Sequence, residues 1–248
     1  MRTLVAINGK INSGKDTVGS MIRYLTSECS NPNGKHFRTY LEFMENGQGN
    51  NYFQTWYDSE WEIKKFAGKL KQVAALLTGI PVSNFEDQEF KKTFLPNEWS
   101  YLPKDEIMTD GIGLMFKKMT VRDLLQKLGT EAMRDGLHTN VWVNALFAEY
   151  KCLDDSKRAF MGDVIDYSNC EFPKWIITDL RFPNELVSVV DRNGITIRVT
   201  RPGTTIDMHS SETALDLYPF MYEIVNDGSL DDLLNKVKEI LVSEQIIS

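Results

Sequence analysis

Thr3-Leu-Val-Ala-Ile7 runs into Gly9-Lys-Ile-Asn-Ser-Gly14-Lys15-Asp16-Thr17, and the reading of this stretch decides the fold. The first segment is short and almost wholly apolar, the form of a buried strand. Val18, Met21, Ile22 and Leu25 follow at i, i+3, i+4 and i+7, so the chain leaves the glycine turn as an amphipathic helix. A strand, a glycine loop ending in Gly-Lys and then a helix is the context a phosphate-binding loop requires. Gly9 and Gly14 can adopt backbone angles closed to other residues. Successive N–H groups then point into one concavity at the positive end of the helix. Lys15 would reach the outer phosphates as a point charge. One position departs from the simple pattern, because Asp16 stands where Ser or Thr usually supplies a hydroxyl to magnesium. Thr17, one place on, or Asp16 itself is the expected metal contact.

Working outward, the 248 residues suit one α/β domain with insertions. The net charge of −7 argues against a general nucleic-acid binder, so a phosphorylated ligand must be held by local cations and backbone dipoles. No apolar run approaches the ~20 residues of a membrane span, and the first apolar run is too short for a signal peptide. A cytoplasmic protein is expected, in the host cell if the source is viral. Cys29, Cys152 and Cys170 are odd in number and lack any Cys-x-x-Cys spacing, so they read as reduced thiols.

Beyond the first helix, residues 29–58 are turn-rich and polar, expected as an excursion such as a hairpin, with Lys35 and Arg38 its cations. Trp61–Phe66 alternates as a second strand. It feeds a helix with Ala67, Leu70, Val73, Ala74 and Leu77 on one face, closed by Gly79 and Pro81. Lys64, Lys65, Lys69 and Lys71 gather at this junction, and ligands bind beyond the carboxyl ends of strands in open α/β sheets. Residues 83–118 read as loop with short helical pieces. Thr120-Val-Arg-Asp123 has the form of a capping box before Leu124, Leu125 and Leu128. A helix is expected from about Asn140 to Tyr150, with Val141, Ala145 and Ala148 on one side and Trp142 and Leu146 nearby, and residues 151–171 form a weakly patterned connection. Lys174–Thr178 is a strand ending at Asp179-Leu-Arg181. Asp179 there can hold magnesium, often through water, or cap the following turn. Pro183 opens a helix through Leu186, Val187 and Val190, and Ile195, Ile197 and Val199 alternate as a further strand. Glu223–Asn226 is a short last strand, and Ser229 caps a final helix with Leu230, Leu233, Leu234, Val237 and Ile240 facing inward. This order predicts a mainly parallel sheet flanked by helices.

The phosphate loop, with Asp after its Gly-Lys, resembles that of bacteriophage deoxynucleoside monophosphate kinases. The resemblance extends to Lys65-Phe-Ala67 with Leu70-Lys71, to Leu125–Glu131 with Arg134, and to Val141-Trp142-Val143. It continues through Thr178–Glu185, Arg198–Pro202, His209-Ser-Ser-Glu212 and Asn226-Asp-Gly228. These blocks keep their order from residue 3 to about 240. The resemblance implies a P-loop, nucleoside-monophosphate-kinase-like fold over residues 1–248, with acceptor-binding and lid segments near 60–150 and 200–215. It also implies transfer of the γ-phosphoryl group of ATP to a deoxynucleoside monophosphate, with magnesium.

Under that reading, Asn12, Ser13, Gly14, Lys15, Asp16 and Thr17 bind the ATP phosphates, and Asp16, Thr17 and Asp179 are the candidate metal ligands. Lys10, Lys65 with its neighbour Phe66, Arg134, Asp179 and Arg181 fall to the acceptor, its phosphate suiting the bidentate fork of Arg. Arg134 can equally pair with Glu131 on the surface. Trp142 can stack on the acceptor base or serve as core. Arg201, before Pro202-Gly203, is a lid arginine or an exposed loop cation. Lys15, Arg134 and Arg201 form the expected catalytic set, His209 stays outside it, and Glu212 is read as orienting its own helix. A homodimer is among the expectations; a nucleic-acid or membrane partner is not. The competing readings are a P-loop kinase of the dephospho-coenzyme A or phosphomevalonate type, and a nucleotide-binding ATPase switch.

Overall fold

The computed structural model describes residues 2–27, 39–47, 59–102, 116–154, 159–161, 164–166, 170–203 and 213–248. The chain divides into two compact units, one of residues 1–66 with 146–248 and the other of residues 67–145.

The larger unit is built on a five-stranded sheet of β1 (Leu4–Gly9), β2 (Trp61–Lys64), β5 (Lys174–Leu180), β6 (Ile195–Thr200) and β7 (Tyr222–Val225), in the order β2-β5-β1-β6-β7. Every pairing is parallel, as the alternation of strands and helices predicted. β1 lies at the centre, with Leu4 through Ile7 at 0% exposure. One face of the sheet, carrying Val5, Ile7, Ile195, Ile197 and Val199, packs on α1 (Lys15–Thr26) and on the last helix, α7 (Leu230–Ser243). α6 (Pro183–Val190) packs on β1 and β6. Its buried apolar residues are Leu186 and Val189, whereas Val187 and Val190, which the sequence pattern grouped with Leu186, are about half exposed. The inward stripe of this short helix is set by where it docks, and 100° per residue leaves a neighbour of each buried residue outside.

The expected hairpin within 29–58 is corrected where residues are described: Tyr40–Gly47 is a helix, α2. Tyr40 and Phe43, three apart, are buried and place their rings 5.6 and 5.3 Å from Tyr24 of α1. Cys29, Lys35 and Arg38 lie outside the described residues. The expectation of reduced thiols is also corrected, since Cys152 and Cys170 form a disulfide with Cα atoms 5.4 Å apart. Eighteen residues of separation hid the pairing. The fold brings the flanks together through the Leu153 N–H, which donates to the Glu171 carbonyl at 2.8 Å. The bridge encloses β3 (Ala159–Met161) and β4 (Val164–Asp166), an antiparallel pair.

The smaller unit has its own core of Ala74, Phe85, Leu95, Val121 and Leu124. It contains nearly all of α3 (Phe66–Thr78), three short 3-10 turns, α4 (Val121–Gln126), a π-helix (Lys127–Asp135) and the start of α5 (Val141–Phe147). The buried stripe of α3 passes through Lys71 and Ala74 and leaves Leu77 half exposed, against expectation. Lys71, 8% exposed, is carried by an ion pair to Glu86 at 2.6 Å. In α5 the buried side chains are Trp142, Val143, Leu146 and Phe147, so the packed side holds the expected neighbours Trp142 and Leu146, while Val141, Ala145 and Ala148 are more exposed. The Thr120–Asp123 capping box is present in both directions, at 3.1 and 3.0 Å.

Under non-reducing conditions, Cys170→Ser should lower unfolding free energy by about 3 kcal/mol, the loop-closure value for a loop of this length. Denaturant titration with and without dithiothreitol checks it: the difference should vanish in reductant.

Candidate functional site

β1 releases the chain at Gly9 against the β6 backbone, where an added Cβ would meet the Val199 carbonyl at 2.7 Å. Only glycine fits there. The Ser13 N–H turns back to the Lys10 carbonyl at 3.1 Å, with Asn12 at φ 63° and Gly14 at φ 100°. Two left-handed residues bracketing Ser13 make the concave run of amides that anions occupy. Gly14 is the N-cap of α1, and no side chain caps it, so the first amides of the helix are left for a ligand. Lys15 curls over the loop with Nζ 3.4 Å from the Lys10 carbonyl. The Ser13 hydroxyl is buried without a hydrogen-bond partner.

Asp16, in the first turn of α1, meets two other elements. The Lys65 ammonium lies 3.0 Å from its Oδ1, and the Thr178 hydroxyl of β5 donates to the same oxygen at 3.0 Å. Partial burial works to raise the Asp16 pKa. The hydrogen bond and charge of Lys65, the Thr178 hydroxyl and the charge of Lys15 outweigh it, holding the carboxyl below its ordinary value of 3.8. At neutral pH Asp16 is therefore ionised. Thr17 follows it in the same helical turn.

Asp179 is buried at the tip of β5, and its Oδ1 accepts the Phe66 N–H at 2.9 Å. The amide it holds lies on a segment distant in sequence, not in the turn after β5 that the sequence reading offered for it to cap. Arg181 and Phe182 donate their backbone N–H groups to the buried Glu185 carboxylate at 2.9 and 3.1 Å.

On the β6 side of the loop, Asn8, Gly9, Lys10, Ser13, Arg198 and Arg201 help line a cavity of about 330 Å³. Lys10 sits there, opposite Asp216 at 3.3 Å. Arg198 donates to the carbonyls of Leu215 and Tyr218 at 2.6 and 2.8 Å, shaping the turn that carries Asp216. Arg201 is exposed at the end of β6. His209, Ser210, Ser211 and Glu212 lie outside the described residues.

In the smaller unit, Arg134 is half-buried within the π-helix, while Glu131, its alternative partner, is 3.4 Å from Lys127. Trp142 is 5% exposed and donates its indole N–H to the Gly129 carbonyl at 2.9 Å. Among the described residues, no three or more His, Cys, Asp or Glu side chains gather as a metal site.

Sequence reasoning passed over Thr178, Asp216 and Asn226. Thr178 carried a signal, being the polar end of an apolar strand beside Asp179. Asn226 was visible only as part of a matching block.

The family described as Deoxynucleotide monophosphate kinase matches residues 86–237 of this chain. The chain belongs to that family. Among curated relatives, the deoxynucleotide monophosphate kinase of Escherichia phage RB69 is 27% identical over 137 residues, 55% of this chain and 50% of that one. The deoxynucleotide monophosphate kinase of Enterobacteria phage T4 is 29% identical over 135 residues, 54% and 50% of the two chains. The chain thus spans about half the length of the curated relatives it matches. Arg134, Trp142, Asp179, Arg181 and Arg201 fall inside the family match. The phosphate loop and Lys65 precede it, so their reading rests on their own geometry.

Because its folded-state pKa is depressed, Asp16 contributes stability that is present above its unfolded value and lost as pH falls through the lowered one. Without nucleotide or metal, wild type should exceed Asp16→Asn in stability at pH 6, and the gap should close below about pH 4. Urea titrations across pH check this.

Proposed function

We propose that this chain is an ATP-dependent deoxynucleoside monophosphate kinase, transferring the γ-phosphoryl group of ATP to a deoxynucleoside monophosphate. The observation that carries the reading is the Gly9–Thr17 loop, an amide nest that opens onto an uncapped helix with Lys15 over it. Membership of the kinase family supplies the substrate class.

Phosphoryl transfer asks the protein mainly for alignment and neutralisation of charge on the equatorial oxygens. The amides from Asn12 to Thr17 would hold the ATP phosphates, and Lys15 would follow the charge that moves onto the leaving group. In the larger unit Lys65 would turn from Asp16 to the acceptor phosphate; in the smaller unit Arg134 is the residue that the family resemblance assigns to the acceptor, its fork suited to phosphate oxygens. Arg201 would complete the charge clamp on the transferred group. Lys10 and Arg181 are supporting cations for the acceptor. Trp142 is left to its packing role, with the indole N–H on Gly129.

Hard oxygen donors suit Mg²⁺, and Asp16, kept ionised by Lys65, Thr178 and Lys15, fits best, with Thr17 adjacent. Asp179 already accepts the Phe66 amide and would act on the ion through water. Held there, magnesium would supply charge neutralisation to the nucleotide phosphates.

A coupled ADP-release assay with each deoxynucleoside and ribonucleoside monophosphate tests the proposal. Turnover that needs a monophosphate acceptor is expected. Acceptor-independent hydrolysis would favour the ATPase switch, and turnover only with dephospho-coenzyme A or phosphomevalonate would favour those kinases. Lys15→Ala should lower kcat by about 10²- to 10³-fold, a loss typical of removing a transition-state contact, with unchanged cooperative unfolding. Arg134→Ala should raise KM for the monophosphate more than KM for ATP.

A further inference from the structure

Asn226 follows the last residue of β7 and touches the phosphate loop from outside it. Its backbone N–H extends the ladder by donating to the Thr200 carbonyl at 2.7 Å. Its side-chain amide donates from Nδ2 to the Ser13 carbonyl at 2.9 Å. The segment is held from the other side by Lys236 of α7, whose ammonium donates to the Val225 carbonyl at 2.6 Å and to Asp227 Oδ1 at 2.9 Å. Asn226 is therefore braced by strand and helix before it reaches the loop.

The consequence follows from peptide geometry. In a planar trans peptide the C=O and N–H point in opposite directions, and no described peptide bond here is cis. Holding the Ser13 oxygen toward Asn226 turns the Gly14 N–H the other way, into the concavity. Ser13 lies between two left-handed residues, one of them the non-glycine Asn12. Such a backbone is strained and persists only where its surroundings hold it. A Cβ on residue 14 would lie 2.6 Å from Asn226 Nδ2, so the same contact accounts for glycine there in addition to its φ of +100°.

We propose that Asn226 is a positioning residue for the nucleotide phosphates, acting through the Ser13 carbonyl to preset the Gly14 amide before any ligand arrives. This rests on reading the loop as a nucleotide site but is independent of which acceptor the enzyme takes. Asn226→Asp keeps the shape and exchanges the donor for an acceptor that repels the Ser13 oxygen. Asn226→Ala removes the contact, and the Asp variant carries the test if the Ala variant is poorly folded.

The experiment measures ADP and pyrophosphate binding by calorimetry to wild type and both variants, with melting temperature and the Gly14 amide resonance of the ligand-free proteins. About tenfold weaker binding is expected for Asn226→Ala, the size of one lost hydrogen bond, and a larger loss for Asn226→Asp. Gly14 should shift while the melting temperature stays close to wild type. In turnover, KM for ATP should rise with kcat nearly constant. If wild type binds ADP and both variants match it within twofold, the positioning role is overturned and the nucleotide site stands. If wild type binds neither probe, both readings fall together.

Discussion

Strand β1 is paired on both edges and covered on both faces, and the larger unit depends on that burial. Its central place, between β5 and β6, forces the carboxyl ends of three parallel strands to one rim. Gly9, Leu180 and Thr200 end there, and from them hang the phosphate loop, the Asp179–Arg181 turn and Arg201. The parallel ladder thus converts distant sequence blocks into one constellation, without any one block being long. Asn8 adds a tie, donating from Nδ2 to the Leu180 carbonyl where the β1–β5 register shifts.

Around this rim, side chains that look alike in sequence have separate jobs. Lys10 pairs with Asp216 on the β6 side, and Lys65 pairs with Asp16 on the β5 side. Asp16 and Asp179 were both candidate metal ligands, yet Asp16 is exposed in an ionic contact and Asp179 is buried on a backbone amide. The difference is physical: a buried carboxylate must be satisfied by fixed donors, whereas an exposed one can exchange a lysine for another cation. Asp16 is the group with freedom to change partners.

The smaller unit shows the same economy. Trp142 of α5 donates its indole N–H to the Gly129 carbonyl inside the π-helix. Gly129 also admits Leu70 at a distance where a Cβ would be crowded, 2.9 Å. The Leu-Gly-Thr-Glu block that marked a family resemblance therefore has a packing reason for its glycine.

Sequence alone determined the elements whose signals are local. Apolar periodicity marked the five strands of the parallel sheet. The Thr120–Asp123 and Ser229 caps marked helix starts, and Gly9–Thr17 marked the phosphate loop, since each depends on residues within one turn of one another. Tertiary structure alone decided what depends on distant partners: the Cys152–Cys170 bridge, the docking of Tyr40 and Phe43 on Tyr24, and which members of the apolar stripes of α3, α5 and α6 are buried. It also decided which lysine meets which aspartate, and that Asn226 grips the Ser13 carbonyl across more than two hundred residues. Periodicity states that a helix has an apolar face, but a short helix has several near-equivalent ones, and only the surface it meets selects among them.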